Sequence, residues 1–316
     1  MQSENDTKNG KAKAIIAADP ARSFPIGGQL NFSSLLFPYT PSQQSASVRD
    51  WEYTDGVILA ITFSEPQHHT IEGSAVMVGP GIAMCAWHVI EPRIQKIASG
   101  EHGITCFGVT EGGLHVWRVK KITAVPNSDL AILGLELAND LQPNATLYKS
   151  AITTRLPKVG DRLTIFGFRA GQEIFERNAD SAVEFSANLL VSSGAVITRY
   201  PKGRDRVMIP WPALEVSCPS WGGMSGGPVF NSEGKVIGLL SSSFSTSEND
   251  GPSYVSLLLP GLVARFEGGW PAGLFNNASS LLDLNPALCL IEGREAIVVK
   301  RNAATGIDDI SFRFLE

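Results

Sequence analysis

Gly222-Gly223-Met224-Ser225-Gly226-Gly227-Pro228-Val229-Phe230 is the stretch on which the reading of this chain turns. A serine hydroxyl is a weak nucleophile until a tight turn presents it beside a base. Glycines on both sides allow such a turn and let a substrate carbonyl come close to the backbone. In that turn the N–H groups of Gly223 and Ser225 would face a developing oxyanion, a contribution of roughly 3–4 kcal/mol per donor in tested enzymes. The same letters satisfy Gly-x-Ser-x-Gly, the strand-to-helix nucleophile elbow, whose histidine must follow the serine. All five histidines (His68, His69, His88, His102 and His115) precede Ser225, and Pro228–Leu240 reads as a hairpin rather than a helix. The elbow is excluded. The chain order His, then Asp, then Ser remains.

Working outward, His88 closes the run Gly73-Ser74-Ala75-Val76-Met77-Val78-Gly79-Pro80-Gly81-Ile82-Ala83-Met84-Cys85-Ala86-Trp87-His88, a hairpin followed by an apolar strand. A strand terminus at a barrel rim holds a base rigidly. His68 and His69 fall in a polar loop, and His102 and His115 are expected to be solvated. Cys85 and His88 also have Cys-x-x-His spacing, but no second pair supplies two further ligands, so no metal or other cofactor is expected. For the carboxylate, Asp129 follows polar Asn127-Ser128 and opens the apolar run Leu130-Ala131-Ile132-Leu133. A carboxylate there is partly desolvated and can accept the imidazole N–H, fixing its tautomer and stabilising the imidazolium formed on attack. Asp140, Asp161, Asp180 and Asp205 lie in polar, turn-like segments where a solvated carboxylate is the default.

The rest of the pattern is all-β. Short apolar runs recur at Val57–Phe63, Ser74–Val78, Ile82–Ala86, Gly103–Phe107, His115–Val119 and Leu130–Leu135. They resume at Arg162–Phe168, Asn188–Ile197, Ala213–Ser217, Pro228–Phe230, Val236–Leu240 and Tyr254–Leu259. Turn residues separate them, which favours a barrel or sandwich over alternating helix and strand. Residues 1–45 read as a polar N-terminal tail or strap that Leu35-Leu36-Phe37 could anchor, and 135–157 as an irregular linker between two β halves. A unit over 46–265 is expected, its halves at about 50–140 and 155–262, with 266–316 as a C-terminal extension.

Hydrophobic residues make up 43% of the 316 and charged residues 18%, enough for a substantial core. A net charge of −5 argues against a nucleic-acid binder, which shows a basic face. The longest apolar window, Val255–Val263, is short for a membrane span and broken by Pro260. Met1–Pro20 lacks the basic start and apolar stretch of a secretory leader, and four scattered cysteines read as free thiols. A cytoplasmic location is the expectation, or a secreted one if a leader has been removed.

Together these segments resemble trypsin/chymotrypsin-like serine peptidases, particularly the compact bacterial kind related to HtrA-type proteases. Met84–His88 is similar to that family's Thr-Ala-Ala-His strand, Asp129-Leu130-Ala131 to its Asp-Leu-Ala, and Gly223–Pro228 to its Gly-x-Ser-Gly-Gly-Pro. Gly234–Gly238 resembles the strand that follows, and Pro157–Gly167 the strand opening the second barrel. The resemblance covers about residues 55–262. It implies two six-stranded antiparallel β-barrels with the triad in the cleft between them, and a serine endopeptidase acting on protein or peptide substrates.

There are departures. Met224 stands where digestive enzymes carry the aspartate that binds a newly freed N-terminus, and no Ile-Val-Gly-Gly-like start occurs, so that activation route is not expected. Trp87, where a small residue is usual, is expected to pack against the barrel. By the same resemblance Pro219 lies at the floor of the primary specificity pocket, and Ser241, Ser242 and Ser243 form the wall that pairs with substrate, Ser241 also supporting Asp129. With no aspartate at 219, and Ser243 where glycine often keeps the pocket open, cleavage after a small or medium uncharged residue is expected. The competing readings are a silent barrel that serves as a binding or regulatory module, and a simple esterase. An unrestrained cytoplasmic protease would be harmful, so latency relieved by an activating protein partner or by the terminal segments is expected.

Overall fold

The computed structural model describes residues 12–15, 29–37, 45–47, 54–65, 68–110, 113–140, 145–177, 182–243, 252–275, 279–301 and 308–312. Two closed antiparallel barrels of six strands dominate it. The first comprises β1 (Ile58–Glu65), β2 (His68–Gly79), β3 (Ile82–Cys85), β4 (Gly103–Thr110), β5 (Gly113–Val125) and β6 (Leu130–Leu137). Its order is β2-β1-β4-β5-β6-β3, closed by β3 on β2. The second comprises β7 (Arg162–Phe168), β8 (Leu189–Tyr200), β9 (Ala213–Val216), β10 (Pro228–Phe230), β11 (Val236–Ser243) and β12 (Ser253–Leu257). Its order is β10-β7-β8-β9-β12-β11, closed by β11 on β10.

Closure explains why these strands read as almost continuous apolar runs. In β1 every residue from Ile58 to Phe63 is buried, one face inside the barrel and the other under neighbouring segments. The turn at Gly79-Pro80-Gly81 reverses β2 into β3, with Gly81 at φ +61°. A Cβ there would sit 2.4 Å from the Trp270 carbonyl oxygen, so the turn and the C-terminal extension interlock only around glycine.

The segments outside the barrels are more ordered than the sequence suggests. Gln29–Leu35 forms a strand that pairs in parallel with Thr146–Ser150, inside the stretch expected to be irregular linker. Ile152–Thr153 also pairs, with Val236 and with Ile291–Glu292. The linker expectation failed because these runs are too short to show a period. They are strands by virtue of their partners. Leu30 and Phe32 are buried, and the Phe32 ring meets Trp270 edge-on, which in turn meets Trp117. Phe37, rather than Leu36, is the anchor: its ring lies 4.5 Å from Phe230 and 6.0 Å from Phe166. Burial of such a ring stabilises by about 1.5–3 kcal/mol. Lys149 on the linker strand is fully buried, and its Nζ donates to Ser34 Oγ at 2.9 Å. That burial pushes its ammonium group down to about 8.

In the C-terminal extension, the Arg294 guanidinium donates to the carbonyls of Leu282, Leu284 and Cys289, and Ile297–Arg301 pairs with Asp308–Phe312. Three histidine expectations need correction. His102 is buried, 3.6 Å from the Glu65 carboxylate, His115 is half-buried with its ring edge-on to Trp117, and His68-His69 begin β2 instead of lying in a loop. All four cysteines are free and buried. Among the described residues no helix is long and apolar enough to cross a membrane.

Candidate active site

Each barrel contributes one wall of the site. After β3 ends at Cys85, the chain enters a four-residue helix, Trp87–Ile90, so His88 sits in the first turn past the strand and not at its end. Trp87 is half-buried against the barrel-one core, as its apolar surface requires. Across the barrel rim, the Val125-Pro126-Asn127-Ser128 turn is held by Ser128 Oγ donating to the Val125 carbonyl, with Asn127 at φ +53°. It delivers Asp129 at the start of β6.

The Asp129 carboxylate is buried and receives three donors. His88 Nδ1 lies 2.8 Å from Oδ2, and the His88 main-chain N–H donates to Oδ1 at 2.9 Å. From barrel two, Ser241 Oγ donates to Oδ2 at 2.5 Å. With Nδ1–H committed to a carboxylate, the imidazole has its Nε2 free to accept. The His88 side chain keeps 43% of its surface open, whereas Asp129 keeps 6%.

Ser225 comes to the same place on the loop before β10. Its carbonyl accepts from the Ser74 N–H at 2.8 Å, and its neighbour Gly226 packs against Ala86, two residues before His88. Ser225 Oγ donates to the Ser241 carbonyl at a long 3.3 Å. A bulge between Leu240 and Ser242 in β11 turns Ser241 so that its hydroxyl serves Asp129 while its carbonyl serves Ser225.

The loop's peptide planes are fixed from behind. Gly222 O accepts from Ala170 N–H at 2.7 Å, and Met224 O accepts from Gly227 N–H at 2.8 Å. In a trans peptide the N–H points opposite to the carbonyl. The N–H groups of Gly223 and Ser225 therefore point opposite to those two engaged carbonyls, and among the described residues neither donates to an acceptor. The intervening Met224 N–H is used internally, on Trp221 O at 3.1 Å. Gly223 has φ +90°, and a Cβ on it would fall 2.1 Å from Ala170 N. The Met224 side chain is wholly buried in the core of the second barrel.

Pro219 is half-buried between Cys218 and Ser220. Ser253 Oγ lies beside it, donating to Cys218 O at 2.7 Å and lying 2.9 Å from Ser220 Oγ. Ser242 is half-buried and pairs with Tyr254; Ser243 pairs through its backbone with Ser253, and its side chain lies outside the described residues. Sequence reasoning singled out neither Ser253 nor Ala170, and it quoted Ser74 without a role. Nothing local marks them, because their partners are distant in the chain. Among the described residues no cluster of His, Cys, Asp and Glu could hold a metal ion.

Two closed barrels carrying a buried aspartate, a histidine and a serine at their junction define the architecture of chymotrypsin-type peptidases. A family profile described as a trypsin-like peptidase domain matches residues 73–239, and the chain belongs to that family. No curated protein matches it. Similar solved structures include the active form of the Rv3671c protease from M. tuberculosis (14% identity, 71% of this chain and 89% of that one, TM-score 0.44). The MamO protease domain from Magnetospirillum magneticum is similar at 16% identity (65% and 93% covered, TM-score 0.44). Deg5 is similar at 18% (65% and 85% covered, TM-score 0.44).

Proposed function

We propose that this chain is a serine endopeptidase in which Ser225 is the nucleophile, His88 the general base and Asp129 its orienting carboxylate. The observation that carries the reading is the continuous connection from His88 through the shared Asp129 Oδ2 and Ser241 to the Ser225 hydroxyl. The Ser225 hydroxyl leaves the Ser241 carbonyl, turns to His88 Nε2 and attacks the scissile carbonyl carbon as its proton passes to the imidazole. The oxyanion is received by the N–H groups of Gly223 and Ser225. His88 then protonates the leaving amine, and water hydrolyses the acyl-enzyme by the same steps in reverse. No cofactor is required.

Pro219, Ser241, Ser242 and Ser243 are proposed to line the acyl side, with Ser253 and Ser220 adding small neutral hydroxyls. This composition suits a small or medium uncharged residue before the cut. The proposed peptidase unit is 46–265, with control by an activating protein partner. Isolated chain that hydrolyses casein as fast as chain in host lysate would remove that partner from the account.

The test is reaction with a fluorophosphonate probe. Wild type is expected to be modified on Ser225, and Ser225→Ala and His88→Ala to be inert. A wild type unreactive both alone and in host lysate would leave the silent-barrel reading in its place. Hydrolysis of small esters without cleavage of any protein would favour an esterase.

A further inference from the structure

We infer that Ser74 is a positioning residue for the oxyanion hole, a role that rests on the serine peptidase reading above. Ser74 lies on β2 in barrel one and is wholly buried. Its hydroxyl donates to the Gly223 carbonyl oxygen at 2.9 Å and accepts from the Phe168 N–H at 2.8 Å, at the end of β7. Its main-chain N–H donates to the Ser225 carbonyl at 2.8 Å. One residue of barrel one thus holds both ends of the Gly223–Ser225 segment of barrel two, and the strand that leads to Ala170.

A hydroxyl has one proton to give, and here it is spent on Gly223. Gly223 is a glycine at φ +90°, in a region where its backbone has the most freedom to rotate. Its preceding peptide is held by Ala170 and its following peptide by Ser74 and by Met224 N–H on Trp221 O. With the Ser74 hydroxyl removed, the 223–224 carbonyl loses its donor, and the 222–223 plane, whose N–H is the proposed oxyanion donor, loses the neighbour that keeps it from turning. Ser74 touches no substrate. It acts through Gly223, on transition-state stabilisation and not on substrate affinity. The contact to His88 and Asp129 is separate, so the ionisation that drives attack is left alone.

The experiment follows inactivation of the full chain by the fluorophosphonate, separating maximal rate from half-saturating concentration. In this reaction the Ser225 Oγ–P bond forms, the P–F bond breaks, fluoride leaves, the serine proton goes to His88, and the phosphonyl oxygen occupies the oxyanion site. Ser74→Ala is expected to lower the maximal inactivation rate roughly 10- to 100-fold, less than the full loss of one donor. The half-saturating concentration should stay within about twofold, and the pH midpoint of the rate should not move. Ser74→Cys, which fills the site with a weak donor, should fall between the two and carries the test if Ser74→Ala does not fold. A maximal rate equal to wild type in a folded Ser74 variant overturns the inference, as does a loss confined to half-saturation or a displaced pH midpoint. A wild type that reacts neither alone nor in host lysate overturns both this inference and the peptidase reading, whereas equal reaction of wild type and variant overturns this inference alone.

Discussion

Ser241 of the second barrel donates its hydroxyl to Asp129 of the first, on the same Oδ2 that meets His88 Nδ1. The carboxylate is thereby anchored from both barrels, and its orientation depends on their relative seating. Asp129→Asn would present an amide where an acceptor is required and favour the wrong imidazole tautomer, with an expected fall in kcat of about 10³–10⁴-fold. Ser241→Ala removes one of three donors and should cost roughly tenfold, since a hydrogen bond to a charged group contributes about 1.5–3 kcal/mol, only part of it felt in the transition state. Steady-state kinetics of the two variants on one peptide substrate checks the ranking. A larger loss in Ser241→Ala would contradict it.

Gly223→Ala should sharply lower turnover while leaving most of the fold intact. The added Cβ meets Ala170 N at 2.1 Å and stands at φ +90°, so the turn must rearrange and its N–H leave the cleft. A loss of about 10²–10³-fold is expected from the displaced donor, with about 1–3 kcal/mol of destabilisation from the strained backbone. Kinetics paired with denaturant melts separates the two effects.

Lys149→Met should stabilise the protein at neutral pH. Burial lowers the folded-state value of Lys149 to about 8 from an ordinary 10.5, so the unfolded chain binds the proton more tightly. Stability therefore rises with pH between those values as the folded lysine loses its charge first. Below about 8 the cost of the buried ammonium is fully present, and it fades as pH climbs toward 10.5. The methionine variant should melt higher at pH 7, and the difference should shrink by pH 10. Melting curves at several pH values give the sign directly.

The cysteines should be silent toward thiol reagents in the native state. Cys85 and Cys106 lie in the first barrel, Cys218 in the second and Cys289 in the C-terminal extension, all buried. Burial pushes Cys106 and Cys218 up to about 12 and Cys289 to about 11, and raises Cys85 well above the usual range. A thiolate-specific chromophore at pH 8 should report four equivalents only after unfolding, and reductant should leave the melting temperature unchanged. Rapid labelling of the folded chain would contradict this.

The most apolar barrel strands were legible because the barrel buries one face and neighbouring segments cover the other, so that Val57–Phe63 or Leu130–Leu135 stand out as apolar runs between turn residues. His88, Asp129 and Ser225 were legible for a different reason: each sits at the junction of such a run with polar or glycine-rich sequence. What stayed hidden was pairwise. Ser74 and Gly223 are 149 positions apart, and nothing in the neighbourhood of either points to the other. His102 reads as solvated because nothing local shows that it is buried beside Glu65 at the end of β1. The strand Gln29–Leu35 was illegible because its partner, Thr146–Ser150, lies in a segment with no period of its own.

That strand has a consequence for how the protein is made. Ser34 and Lys149 are separated by 115 positions, and the ribosome releases the first long before the second. At about 5–20 residues per second, the gap is roughly ten seconds in which Gln29–Leu35 has emerged without Thr146–Ser150, the strand it pairs with in parallel. The first barrel can close in that interval, but the groove that receives Gln29–Leu35 exists only after the chain has passed between the barrels. The docking of Gln29–Leu35 therefore waits on Thr146–Ser150, although its own residues come earlier in the chain.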